Sequence, residues 1–284
     1  MVRNAAAAAL SAVLCRLCVP PCDFWPAALL CWVPLIVRTH AAPLWRALAV
    51  EGIQGTLAHL VTFYWTYTAL HDVSQFSVPA AVGTVLGLSV FQGLRSALVA
   101  LAFSRAGVNG WPAMAAFPVA LAGTEAVYPM VFPWYTALFV HQRPEWMQLG
   151  EFGGPLLVSA WVGVVNAAFA SAWMGRAVGI RGIAVPAIVG GTVVGAVTVF
   201  GWWRIARVDE RLAEAASNQA NSVRLGVVQG NLAPARLERS DPVDIYRNVF
   251  LEPETRVQAL PFDWAEIVGA GVHSDLPPGT VLAT

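Results

Sequence analysis

The sequence predicts a mostly α-helical, polytopic membrane protein of about seven helices, followed by the incomplete start of an α/β domain. Three observations carry this. Of 284 residues, 57% are hydrophobic and 12% are charged, roughly half the 25% charge of a soluble domain. The charge is also unevenly placed: residues 1–203 hold 9 Arg and 6 acids, whereas residues 204–284 hold 8 Arg and 11 acids. Eleven of the 12 Trp precede Arg204. The expected boundaries are therefore a transmembrane domain over 1–203, a helical linker over 204–222 and a partial water-soluble domain over 223–284. Equal numbers of basic and acidic residues, 17 each, exclude nucleic-acid binding by bulk electrostatics. The apolar content excludes intrinsic disorder.

A spanning helix needs about 20 mostly apolar residues. Breaks at Pro, Gly and charge divide the first part into runs at 4–19, 24–40, 45–70, 79–104, 111–130, 154–175 and 182–203. The first two are short, are separated by Pro20-Pro21, and read as a tilted hairpin. The first also resembles a secretory signal, but Arg16 and the lack of a small-x-small cleavage site argue against one. With a cytoplasmic N-terminus, the inner side receives Arg3, Arg38, Arg46, Arg105, Arg176 and Arg181. The outer loops receive Arg16 and Arg143 beside Asp23, Asp72, Glu145 and Glu151. This asymmetry is the positive-inside signature. Seven crossings then put residues 204–284 in the periplasm of a bacterial cell whose inner membrane holds the rest. Trp25, Trp111, Trp134 and Trp146 fall near the expected helix ends, where aromatic belts form.

Glu51, Gln54, His59, Arg95 and Glu125 interrupt the apolar runs. An ionisable group at mid-membrane costs about 2.5–3.5 kcal/mol on insertion scales. Glu51 and Arg95 are expected near helix ends, snorkelling to water. Glu125 lies well along its run, nine residues before Trp134, and points to a functional or cavity-lining role. Glu51, His59 and Glu125 would also suit a small transporter, but no internal repeat accompanies them. The spacing Cys15-x2-Cys18-x3-Cys22 superficially suggests metal ligands. These thiols lie in an apolar run without His, where free Cys behaves as a small hydrophobe, so neither a metal site nor a cofactor is expected. A Cys18–Cys22 disulfide is open to the chain if both face the periplasm.

Beyond Arg204, Ile205, Val208, Leu212 and Ala215 recur at helical spacing with charge between them. Val223, Leu225 and Val227 then alternate as in a strand, ending at the turn Gln229-Gly230-Asn231. Residues 240–251 read as a helix with Ser240 or Asp241 as N-cap and Pro242 at its first position. Strand, loop and helix in that order open an α/β domain. Residues 252–284 show no clean periodicity, and about 60 residues hold only part of such a domain.

These pieces together resemble the bacterial apolipoprotein N-acyltransferases. The resemblance lies in Pro20-Pro21-Cys22-Asp23-Phe24-Trp25-Pro26-Ala27-Ala28, in Trp111–Glu125 followed by Phe132-Pro133-Trp134, in Gln148–Asn166 with Gly153-Gly154, and in Val227-Val228-Gln229-Gly230-Asn231. It covers residues 20–250. It implies a periplasmic nitrilase-like (carbon-nitrogen hydrolase) domain inserted before the last of eight membrane helices. It also implies a Glu-Lys-Cys triad that moves a phospholipid acyl chain, through a Cys thioester, to the N-terminal diacylglyceryl-cysteine of a lipoprotein. The nearest match to the triad Glu is Glu266 in Trp264-Ala265-Glu266, as general base. Glu125 and Trp134 are the implied substrate-binding residues. The chain has no Lys, and no Cys follows Cys31, so the other two triad members are absent from these residues. The expectation is a C-terminally truncated family member without acyl-transfer activity. The alternative is a non-catalytic membrane protein that binds lipid or lipoprotein, or partners a full-length acyltransferase.

Overall fold

The structure is a computed structural model that describes residues 2–217. The expected strand at 223–231, the helix at 240–251 and Glu266 lie outside the described residues. Residues 1–209 form one compact unit, and the described chain contains helices and turns but no strand.

Helix α1 (Val2–Leu17) is built on a run of alanines, the best helix formers. The loop at Pro20-Pro21 ends it. The run 24–40 does not make one helix. Pro26 opens a 3-10 turn (Trp25–Leu29), and Pro34 opens the seven-residue α2 (Val33–Thr39). At 1.5 Å per residue α2 is only about 10 Å long, so two short helical pieces stand where the sequence predicts one run.

Helix α3 (Leu44–Thr62) is followed by the short α4 (Trp65–Thr68) and a π-turn at Ala69–Val73. Helix α5 (Val78–Val108) has 31 residues and Pro79 in its first turn. Helix α6 (Ala113–Val127) stops where Pro129 pushes Tyr128 into an extended conformation, ψ 127°. A 3-10 turn (Thr136–Val140) and the four-residue α7 (Pro144–Met147) lead to α8 (Gly150–Gly175). Gly153 and Gly154 break the helical path near the start of α8, and Gly154 has φ +58°, where glycine carries no Cβ penalty. Helix α9 (Ile180–Ser217) runs on through Arg204 for 38 residues in all.

Three of these helices, α5, α8 and α9 as far as Glu214, are long and apolar enough to cross a membrane. The remaining apolar runs are divided by their prolines and turns into shorter helices.

Close backbone packing joins α3 to α5. A Cβ on Gly55 would stand 2.6 Å from the carbonyl oxygen of Gly93, and one on Gly93 would stand 2.5 Å from the backbone nitrogen of Thr56. Only glycine at both positions lets the backbones come this close, the device by which membrane helices gain dispersion contact. Between α6 and α8, Gly163 lies against Pro118. Phe103, Phe117, Leu121, Leu35 and Ile36 fill the centre.

The broken backbone before α2 must find hydrogen bonds inside the bundle, because lipid offers none. Asn166 on α8 supplies them. Its Oδ1 accepts from the Trp32 N–H at 2.8 Å and its Nδ2 donates to the Ala28 carbonyl at 2.8 Å.

All four cysteines are free. The expected Cys18–Cys22 disulfide is not formed: Cys18 is buried and its thiol donates to the Leu14 carbonyl at 3.1 Å, whereas Cys22 is exposed.

Candidate functional site: a buried Arg95–Glu125 clamp

The length of α5 decides where Arg95 sits. It is the 18th of 31 residues, far from either end, and only 4% exposed. Glu51 is the eighth of 19 residues in α3 and fully buried. The expectation that both snorkel from helix ends is therefore corrected: each is held within the bundle by a partner. Glu51 accepts a 2.8 Å hydrogen bond from Thr39 Oγ1. Arg95 meets Glu125.

Glu125 stands in the last turn of α6, and its side chain is wholly buried. Its Oε1 lies 3.1 Å from Arg95 Nη1. The same oxygen accepts from the Thr136 N–H at 2.8 Å and from Thr136 Oγ1 at 2.7 Å. Arg95 Nη1 also donates to the Trp134 carbonyl at 2.7 Å. One turn earlier on α5, Gln92 donates to the Phe132 carbonyl and accepts from the Val131 N–H, both at 3.2 Å. The non-helical stretch between α6 and the following 3-10 turn is thus tied down by three buried polar side chains. Such a buried pair gains little over an apolar pair of the same shape, but removing one partner costs about 3–5 kcal/mol.

An aromatic cluster packs beside the clamp. Phe63 meets Trp134 with ring centroids 5.1 Å apart and Phe132 at 5.5 Å, while Trp65 meets Phe132 at 5.8 Å. Under Trp134 lies a cavity of about 20 Å³ with polar walls from Gln54, His59, Arg95 and Ser96. His59 Nδ1 is 2.7 Å from the Gly55 carbonyl, so that nitrogen carries the proton and Nε2 is left as an acceptor.

Glu125 and Trp134, the two described site candidates from the sequence, are thus brought together, joined through one nitrogen of Arg95. Glu266 lies outside the described residues. Sequence reasoning missed Gln92 and Thr136, and it missed that Arg95 is the partner of Glu125. A usable signal was present: Gln92 and Arg95 are three apart on one helix, hence on one face, in a run otherwise too apolar to carry them.

Residues 11–168 match the sequence profile of the apolipoprotein N-acyltransferase N-terminal domain. The chain belongs to the apolipoprotein N-acyltransferase family. One relative, the apolipoprotein N-acyltransferase of Gloeobacter violaceus, is 26% identical, with the alignment covering 88% of this chain and 49% of the relative. The chain therefore spans about half the length of the curated relative it matches. Within the apolipoprotein N-acyltransferase match lie Gln92, Arg95, Glu125, Trp134, Thr136 and Asn166. Helix α9 follows it.

Proposed function

We propose that these residues form the membrane platform of an apolipoprotein N-acyltransferase, which takes an acyl chain from a phospholipid and gives it to the N-terminal amine of a diacylglyceryl lipoprotein. The family match over residues 11–168 is the observation that carries this reading. In the proposed chemistry a cysteine thiolate attacks the phospholipid ester and expels the lysophospholipid. The lipoprotein amine then attacks the thioester and expels the thiolate. A cation near the carbonyl oxygen steadies the tetrahedral oxyanion in both steps.

Residues 1–284 contain no Lys, and their Cys are confined to the buried or loop positions 15, 18, 22 and 31. The acyl-carrying thiol and the ammonium group are therefore supplied from outside these residues, and residues 1–284 alone transfer no acyl chain. Glu266 is the proposed general base, in the opening of a periplasmic nitrilase-like domain over 223–284. Glu125 is proposed to act through position, holding the Phe132–Trp134 aromatic edge against which the lipid substrates lie.

The distribution of charge supports an inner-membrane orientation with residues 204–284 in the periplasm. Hydrogen bonds from Arg38 to Asn4, at 3.1 and 2.8 Å, and from Ser104 to the Ala42 carbonyl, at 2.7 Å, bring the start of α1, the end of α2 and the end of α5 to one side. Arg3, Arg38 and Arg105 belong to these ends, Arg46 follows in the first turn of α3, and no acid lies among them. The contacts Trp25–Trp146 and Asp23–His141 gather loops that carry acids on the other side.

Expression of residues 1–284 in a strain depleted of its own acyltransferase tests the reading. Diacylated lipoprotein should accumulate and growth should fail. Formation of triacylated lipoprotein by this polypeptide alone would overturn the placement of the nucleophile. Protease treatment of spheroplasts should digest residues beyond 204, and their protection would overturn the orientation.

A further inference from the structure

Helices α8 and α9 are both long and apolar enough to cross a membrane, yet they do not close against each other along their whole length. At the turn their backbones touch: a Cβ on Gly175 would collide with the carbonyl of Gly182. Beyond that turn they meet again, where a Cβ on Gly190 would stand 2.7 Å from that of Ala168, and beside this contact lies an apolar cleft of about 320 Å³. Its walls include Val165, Ala168 and Phe169 from α8 and Pro186, Gly191 and Val194 from α9. Every lining residue is apolar. The volume falls at the lower end of the range of ligand-binding clefts, about 300–1,000 Å³. Water gains nothing from such walls, since it needs two to four polar partners. The α9 side of the cleft is open: only 6% of the apolar window of α9 is buried, against 56% for α8, a surface suited to hydrocarbon.

The charge just beyond the cleft narrows the choice of occupant. Arg176 follows the last cleft residue of α8, Ala172, by one helical turn, and Arg181 precedes Pro186 on α9 by little more than one. Both arginines are exposed and neither makes an ion pair among the described residues. Arg176 lies 3.6 Å over the ring of Trp173, itself 56% exposed, an arrangement suited to the headgroup level. No acid occurs between Glu151 and Asp209. Along these helices the nearest carboxylates are roughly 37 Å and 42 Å away at 1.5 Å per residue, and Glu151 is already paired with Arg204 at the far end, at 2.5 Å. Among the described residues a zwitterionic headgroup would find no counter-charge for its ammonium here, whereas a phosphate without a neighbouring cation finds two guanidiniums.

We propose that the α8–α9 cleft holds one acyl chain of an anionic phospholipid whose phosphate lies against Arg176 and Arg181. This is a second lipid site, separated along α8 and α9 from the end at which Glu151 and Arg204 pair. It does not depend on the acyl-transfer reading, because it needs only that these two helices lie in a bilayer.

The test is native mass spectrometry of the purified 284-residue chain from mixed micelles containing phosphatidylglycerol or phosphatidylethanolamine with identical acyl chains. One phosphatidylglycerol should stay bound, held about tenfold more tightly than phosphatidylethanolamine. The double substitution Arg176→Gln with Arg181→Gln should erase that preference, while Arg46→Gln, a cation on α3, should keep it. Gly191→Leu should remove the retained lipid, because a Cβ there meets nothing within 4 Å and the side chain projects into open cleft. Equal retention of the two lipids would overturn the proposal. So would a Gly191→Leu protein that elutes as wild type and keeps its lipid, or an equal loss in Arg46→Gln.

Discussion

One nitrogen of Arg95 serves two masters: it lies 3.1 Å from the Glu125 carboxylate and 2.7 Å from the Trp134 carbonyl. The ion pair and the loop that carries the aromatic cluster are therefore one unit. A change at Glu125 must be felt at Trp134.

Glu125→Ala should leave a buried guanidinium without its counter-ion and lower stability by about 3–5 kcal/mol. Replacing both partners, Arg95→Met with Glu125→Leu, should recover much of that loss, since an apolar pair has no desolvation cost. Thermal unfolding of the detergent-solubilised protein reads both. A double variant no more stable than Glu125→Ala alone would contradict the account.

Gly93→Ala should destabilise by about 1–3 kcal/mol, because its methyl group meets the backbone of Thr56 rather than a side chain that can move. Gly83→Ala, on the same helix but with no neighbour within 4 Å, should be neutral or stabilising by up to about 1 kcal/mol through the helix preference of alanine. Side-by-side melting curves distinguish packing from propensity.

Asn166→Leu should orphan the Trp32 N–H and leave the Ala28 carbonyl only the weak Cys31 thiol donor at 3.4 Å, in a place where lipid cannot replace the bonds. A loss of about 1–3 kcal/mol is expected for the orphaned N–H. Hydrogen exchange should accelerate at residues 28–36 before it changes in α5.

Cys22 should be the thiol that reacts with a membrane-impermeant maleimide added to spheroplasts, because it is exposed and Cys15, Cys18 and Cys31 are buried. The substitution Cys22→Ser should abolish labelling. Persistent labelling would mean that a buried thiol becomes accessible.

Much of the helical content was legible in the sequence. The runs 79–104, 154–175 and 182–203 are matched by α5, α8 and α9 because apolar segments of this length hold a helix even through internal breakers such as Gly93 and Pro186. The run 24–40 was not legible as two pieces. Pro26 and Pro34 are compatible with either a kinked helix or a break, and what decides is Asn166, 134 residues beyond Trp32. The site was half legible. Glu125 stood out as a costly intramembrane acid, and Trp134 stood out through the Phe-Pro-Trp resemblance. Arg95 was misplaced because periodicity says nothing about which distant carboxylate a cation will meet. Thr136 gave no signal at all, since a threonine in a short 3-10 turn is ordinary.

The glycine contact between α3 and α5 has a mechanical consequence. Helices that touch backbone to backbone cannot be pried apart by rotating side chains, so the two must travel as a rigid block. Because Gln92 and Arg95 ride on α5, the block carries the 131–134 segment with it. Any opening that admits a bulky guest must then hinge outside the α3–α5 block.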